Sequence, residues 1–194
     1  MHKIVQLEYH HILWRSQMER IIQNSFSSIR IPEDKDILLI VDDFTRPENI
    51  VTKMVFSYIL SKVPEERVAI LVASGLHRAT TYTELQKRLG RNLKNIKVYR
   101  HNPFLSKSPL SIWKEKFFCI GIGTVLPHTH VKFSGGSKLI CPGISGVDAI
   151  RWFHNTNLYG KKYSYGKGYS LDMLDILINS TINQNGEPTS LTVG

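Results

Sequence analysis

Between Pro127 and His154 the chain reads PHTHVKFSGGSKLICPGISGVDAIRWFH, a run rich in residue types that do chemistry rather than pack. It holds His128, His130 and His154, the amine of Lys138, the turn Ser134–Gly135–Gly136 and a second glycine turn from Gly143 to Gly146. Glycine lets a backbone approach a ligand closely, imidazoles exchange protons near neutral pH, and a lysine amine is a nucleophile once desolvated. A buried core would instead show branched apolar residues at a regular period.

Two shorter clusters accompany this run. DDFTRP places Asp43 and Arg46 three apart, with Thr45 set to cap a following helix whose free amides can take a phosphate or carboxylate; the plainer reading is an Asp–Arg pair that fixes the turn. SGLHRATT carries His77 and Arg78, and a histidine there is by itself most often a hydrogen-bonded loop residue. His101 stands alone after a third apolar run. Such residues gain weight only if one scaffold brings them together.

The scaffold is readable. DILLIVDD (36–43) is a continuous apolar run closed by two aspartates, the pattern of a strand buried on both faces of a parallel sheet. RVAILVASG (67–75), NIKVYRH (95–101) and Phe117 to Ile122 predict three further strands. Met18, Ile21, Ile22 and Phe26 give residues 16–28 a helical period, Ile50, Met54, Val55, Tyr58 and Ile59 give another after Pro47, and TTYTELQKRLG (80–90) predicts a helix stopped by Gly90. Strand alternating with helix predicts an α/β fold, a mainly parallel sheet with helices on both faces. In such sheets ligands sit beyond the carboxyl ends of the strands. Asp42–Asp43, Ser74 to Arg78, His101 and His128 all fall just past predicted strand ends, so four polar clusters should converge on one edge. Residues 1–160 are assigned to this domain. The glycine-rich stretch from 161 reads as a loop, followed to 194 by a short helix and a hairpin around Asn185–Gly186.

Composition narrows the function. With 194 residues and 42% hydrophobic content the chain can build one good-sized core. Its 25 Lys and Arg against 16 Asp and Glu give a net charge of +9, which favours an anionic partner. The basic residues are scattered and no RNA-binding aromatic signature, zinc finger or basic helix accompanies them, so nucleic acid is not the expected partner. The cysteines Cys119 and Cys141 suit a reduced thiol setting, the N-terminus lacks a signal-peptide h-region, and no apolar run approaches the roughly 20 residues of a membrane span, so a cytoplasmic protein with no membrane partner is expected.

Common motifs do not account for the site. SGGSK lacks the spacing of a phosphate-binding P-loop, Gly121–Ile122–Gly123 lacks the third glycine of a dinucleotide fingerprint, and no histidine pair shows the H-E-x-x-H spacing of zinc hydrolases. Taken in order, however, DDFTRP, SGLHRATT, the isolated His101, PH followed by FSGGSK, and PG with WFH downstream resemble the nickel-dependent lactate racemase family. His128 stands ten positions before Lys138 and His154 sixteen after it, as in that family's pattern.

The resemblance implies a racemase or epimerase, an isomerase of small 2-hydroxyacids, working with a nickel-pincer nucleotide (nickel held by pyridinium-3-thioamide-5-thiocarboxylic acid mononucleotide). It implies that Lys138 tethers the cofactor through a thioamide, that His154 is the protein ligand to nickel, and that His77 and His128 alternate as general base and acid on the two faces of the substrate carbon. Asp43 and Arg46 would orient cofactor or substrate, Arg46 or Arg78 would hold the carboxylate, and Thr45 with the amides of Ser134, Gly135 and Gly136 would meet the nucleotide. Cofactor-synthesis and insertion proteins are the implied partners. Residues 1–160 would be the cofactor-binding domain, and 161–194 resembles the start of a second domain, family members being about twice this length. Lys132, where the family has a small residue, and His130 depart from the pattern. The rival expectation is a non-catalytic module that binds a nucleotide or phosphorylated metabolite on the same fold. A phosphate-dependent metal hydrolase ranks below both, since carboxylates are few near the turns.

Overall fold

Three apolar runs are buried almost completely because they form the middle of a parallel sheet: β1 (Asp36–Asp42), β2 (Val68–Ala73) and β4 (Phe117–Ile122). In this computed structural model, residues 15–27, 29–104, 117–124, 126, 134–158 and 190–193 are described. The short strand β3 (Lys97–Arg100) pairs with β2 and β5 (Ser190–Val193) with β4, giving the order β3-β2-β1-β4-β5 with every pairing parallel. The fold class is α/β, as the alternation of elements predicts. In the tail, Ser190–Val193 runs parallel to β4; the helix and the Asn185–Gly186 hairpin expected before it lie outside the described residues.

Side chains alternate across the strands and divide the core in two. Ile37, Leu39, Val41, Ile70, Val72, Ile120 and Ile122 face the helices α1 (Arg15–Ser27), α2 (Ile50–Lys62) and α3 (Tyr82–Leu89), packing on Phe26, Phe56, Ile59, Leu85 and Leu89. Leu38, Ile40, Leu71 and Cys119 face the other way and are covered by Leu139, Ile140 and Ile144, which belong to a single 3-10 turn (Gly136–Leu139) and the loop after it. A fourth helix, α4 (Val147–Leu158), follows that loop. No described helix is long and apolar enough to cross a membrane.

Helix ends explain where the connecting turns lie. Thr81 and Glu84 form a capping box at the start of α3, and Gly90 closes it in the left-handed conformation at φ 74°. At α2 the cap is Asn49, whose Oδ1 accepts from the Thr52 amide at 2.7 Å. Thr45, expected to cap this helix, lies upstream and bonds to Asp43 instead. The other arm of Asn49 donates to Thr124 Oγ1 at 2.9 Å, and the Thr124 amide donates to Asp42, so the start of α2 and the ends of β1 and β4 are tied together.

Register brings the three strand ends level. Asp42 lies opposite Ala73, and Val41 opposite Ile122, so Asp43, Ser74 and Gly123 leave the sheet at the same edge. The chain departs from β1 toward β2 on one side and reaches β4 on the other, and this reversal opens a crevice at the carboxyl end of β1. One buried cation braces the first turn there. Arg88, 3% exposed on α3, donates to the carbonyl of Arg46 at 2.5 Å and to that of Pro47 at 3.4 Å. Replacing Arg88 by Met should leave those carbonyls short of a donor and destabilise the fold by roughly 1–3 kcal/mol. Chemical denaturation checks this; an unchanged midpoint would mean the guanidinium carries no share of the turn.

Candidate active site at the carboxyl edge of the sheet

A cleft of about 260 Å³ occupies the crevice, and its wall includes Asp42, Asp43, Arg46, His77, Lys138 and His154. Residues separated by more than a hundred positions therefore share one cavity. Asp43 belongs to this wall and is 3% exposed. Its Oδ1 accepts from the Thr45 hydroxyl at 2.6 Å and the Thr45 amide at 3.2 Å, while Oδ2 lies 2.5 Å from His77 Nδ1. A carboxylate on Nδ1 fixes that nitrogen as the N–H and leaves Nε2 as the proton-exchanging one. The backbone helps, since the His77 amide donates to the Ser74 carbonyl at 2.8 Å and Phe44 meets the imidazole edge-on at 6.5 Å between centroids.

Lys138 reaches the cleft from the 3-10 turn, which the left-handed glycines Gly135 (φ 84°) and Gly136 (φ 54°) make possible. Burial, reinforced by the Arg46 guanidinium, pulls the Lys138 amine down from 10.5 to about 8. More of the amine is therefore unprotonated and nucleophilic near neutral pH than in an exposed lysine. Burial acts oppositely on Asp42, raising its pKa against the Thr124 bonds that lower it.

His154 comes from α4, where Nδ1 donates to the Ile150 carbonyl one turn back at 2.8 Å. The ring is thereby held as the tautomer whose lone pair is on Nε2, the form in which histidine binds a metal. The loop carrying both groups is fixed to the sheet. Gly75 donates to the Gly143 carbonyl at 2.8 Å, Gly143 donates to the Lys138 carbonyl at 3.0 Å, and Val147 to the Pro103 carbonyl at 2.8 Å. A Cβ on Gly143 would stand 2.3 Å from the Leu139 carbonyl oxygen, so only glycine fits there. At the end of β4, a Cβ on Gly123 would stand 2.9 Å from Leu139 Cδ1, showing how closely this loop lies on the sheet.

Of the residues singled out from the sequence, Asp43, Arg46, His77, Gly135, Lys138 and His154 line the cleft. Four others are placed differently. Arg78 lies over the Phe44 ring at 3.6 Å and forms a two-pronged pair with Glu84 at 2.6 and 3.0 Å, so it is engaged away from the cleft. Thr45 serves Asp43, and Ser134 is buried, its amide donating to the Leu126 carbonyl at 2.7 Å. Gly136 shapes the turn without joining the wall. His128 and His130 lie outside the described residues. His101 is not in this cleft; its Nε2 donates to the Ser145 carbonyl at 2.9 Å. The wall also contains Leu139, Pro142 and Ile150, apolar residues that nothing in a linear reading separates from the core.

Residues 8–166 match the family model described as the lactate racemase N-terminal domain. The chain belongs to this family. It is 27% identical over 168 residues to the lactate racemase of Thermoanaerobacterium thermosaccharolyticum, covering 76% of this chain and 39% of that one. To the lactate racemase of Lactiplantibacillus plantarum it is 28% identical over 169 residues, covering 76% and 40%. The solved apoprotein of the Thermoanaerobacterium enzyme superposes with a TM-score of 0.56 at 27% identity, over 71% of this chain and 39% of the other. A Thermotoga maritima protein shares the fold, with a TM-score of 0.58 at 23% identity over 72% and 41%. This family member thus spans about two fifths of the length of the racemases it matches.

The neighbouring guanidinium predicts a measurable shift. Lys138 should react with an amine-acylating reagent with a half-point near pH 8, and Arg46→Ala, which removes a positive charge, should move that half-point upward. Rates of labelling at Lys138 by peptide mass spectrometry check it, and a half-point near 10.5 in the parent chain would contradict the burial described.

Proposed function

We propose that this chain is the cofactor-binding part of a 2-hydroxyacid racemase or epimerase that uses the nickel-pincer nucleotide. One observation carries the reading: an amine of lowered pKa, an imidazole held with Nε2 as its lone-pair nitrogen and a carboxylate-oriented histidine line the same cleft. The residues fit the group. Lys138 would hold it covalently, the turn at Gly135, which lines the cleft, would meet the nucleotide, and His154 Nε2 would be the protein's ligand to the metal. Among the described residues no three of His, Cys, Asp or Glu gather as a metal-binding group, so a metal kept here would rely on donors from the cofactor.

When bound, the cofactor supplies the hydride acceptor that no side chain can be. The chain's own residues do the rest. His77, with Nδ1 pinned by Asp43, would take the hydroxyl proton of one enantiomer at Nε2 while His128, which lies outside the described residues, would give a proton on the way to the other, the two exchanging these base and acid roles as the stereochemistry inverts. In this reading Asp43 acts through His77 rather than on the substrate. Arg46, at the cleft wall, holds the substrate carboxylate, since a planar guanidinium matches it in two bonds. Cofactor-synthesis and insertion proteins would load the site. A cytoplasmic setting suits it, since Cys119 and Cys141 are both free and buried.

Coexpression with the cofactor-making enzymes tests the proposal. The chain should gain mass at Lys138 and bind stoichiometric nickel; Lys138→Ala should abolish the adduct, and His154→Ala should keep it while loosening the metal. His77→Ala should leave the cofactor bound and lower racemisation of short 2-hydroxyacids by roughly 10²–10⁴-fold. Loss of the adduct in the parent chain sinks the reading, and an adduct with no racemisation by any loaded form would favour a binding module.

A further inference from the structure

The loop after Lys138 is held to the strand ends partly by backbone, through the bonds from Gly75 to the Gly143 carbonyl and from Val147 to the Pro103 carbonyl. His101, one residue beyond β3, adds a hold made by a side chain: its Nε2 lies 2.9 Å from the Ser145 carbonyl. A carbonyl only accepts, so Nε2 carries the hydrogen. The other ring nitrogen, Nδ1, is shielded from solvent and has no hydrogen-bond partner. Leaving a buried acceptor unsatisfied costs roughly 1–3 kcal/mol, which a phenylalanine ring filling the same space would not incur. What the imidazole contributes here is therefore the bond at Nε2.

Ser145 is the joint between the two groups that the loop carries. On one side its buried hydroxyl donates to the carbonyl of Ile140, two residues past Lys138, at 2.9 Å, and its amide donates to the Pro142 carbonyl at 3.3 Å. On the other side the next residue, Gly146, accepts from the Ile150 amide at 3.1 Å in the first turn of α4, and the Ile150 carbonyl accepts from His154 Nδ1. A hold on the Ser145 carbonyl is thus passed to the Lys138 turn in one direction and to the His154 imidazole in the other. Without it the joint keeps its internal bonds and loses its side-chain tie to β3.

We infer that His101 is a positioning residue: by holding the Ser145 carbonyl from outside the cleft, it fixes where the Lys138 amine and the His154 imidazole stand within it. This role rests on the reading that those two groups serve one cofactor, but its test needs none and is separate from the search for a Lys138 adduct. In the cofactor-free 194-residue chain, His101→Phe keeps a ring in place and removes the bond. Burial holds the His101 ring below its ordinary 6.5, so it is neutral near pH 8 and a change at Lys138 would come through the loop rather than through charge. The half-point for acylation of Lys138, near pH 8 in the parent, should rise by roughly half a pH unit or more as water returns to the amine. His101→Gln, whose amide nitrogen can stand where Nε2 does, should keep it near 8. Adding Arg46→Ala should raise the half-point less in His101→Phe than in the parent, because the amine has already left the guanidinium. The denaturation midpoint of His101→Phe should hold, the lost bond being offset by removal of the unsatisfied nitrogen. A half-point unmoved by His101→Phe, one raised equally by His101→Gln, or full additivity with Arg46→Ala would overturn the inference; so would a His101→Phe chain that unfolds or loses stability, which would make His101 a packing residue.

Discussion

Asp43 puts a carboxylate almost out of solvent at the end of the central strand, and a charge in that position is tolerated only when both oxygens are partnered. One oxygen is taken up by the hydroxyl and amide of Thr45, the other by His77. The first set of bonds locks the turn after β1, and the second fixes the imidazole on the neighbouring turn. Neither turn can reorganise without stranding the charge. The sheet register acquires chemical meaning from this, because a slip of one residue between β1 and β2 would turn Asp43 to the opposite face and part it from His77.

The other half of the site depends on steric closeness rather than charge. Lys138 and His154 sit before and after a loop that lies directly on the sheet, covering Leu38, Ile40 and Leu71 with Leu139, Ile140 and Ile144. The same segment is therefore both the lid of the core and the carrier of two functional groups. Burying Lys138 is part of that arrangement, and it is what lowers the amine's affinity for a proton. A more open loop would carry the same residues with a less reactive lysine.

The strands were legible because β2, β4 and the interior of β1 from Ile37 to Val41 are continuous apolar runs, the pattern of a doubly covered parallel sheet. Convergence of DDFTRP and SGLHRATT followed from the rule that ligands gather at carboxyl strand ends, whereas Gly135, Lys138 and His154 were singled out by the family resemblance; Asp43, Arg46 and His77 from the first group join these three in the cleft wall, and His101, also at a strand end, does not. Individual partners were less legible. Thr45 and Asn49 are both good caps, and the choice fell to Asn49 because Asp43 already holds the Thr45 hydroxyl. Arg78 sits beside His77 in sequence, yet Glu84, on the first turn of the next helix, and the face of Phe44 draw it away. Ser134 belongs to a ligand-like string but spends its amide on Leu126. Such competitions are decided by neighbours close in space, and a linear pattern does not contain them.

The contact between Gly123 and Leu139 joins the end of a core strand to the residue after Lys138. An added methyl at position 123 would push on the tip of a buried leucine rather than on backbone, so the obstacle is a shape that another residue can relieve. The two positions are thus not independent as targets of substitution. Alanine at 123 becomes admissible alongside a shorter side chain at 139, and variation at either is conditioned by the other. In an evolving or redesigned sequence this pair would behave as one unit of inheritance, with the reactive amine carried along by whatever compromise they reach.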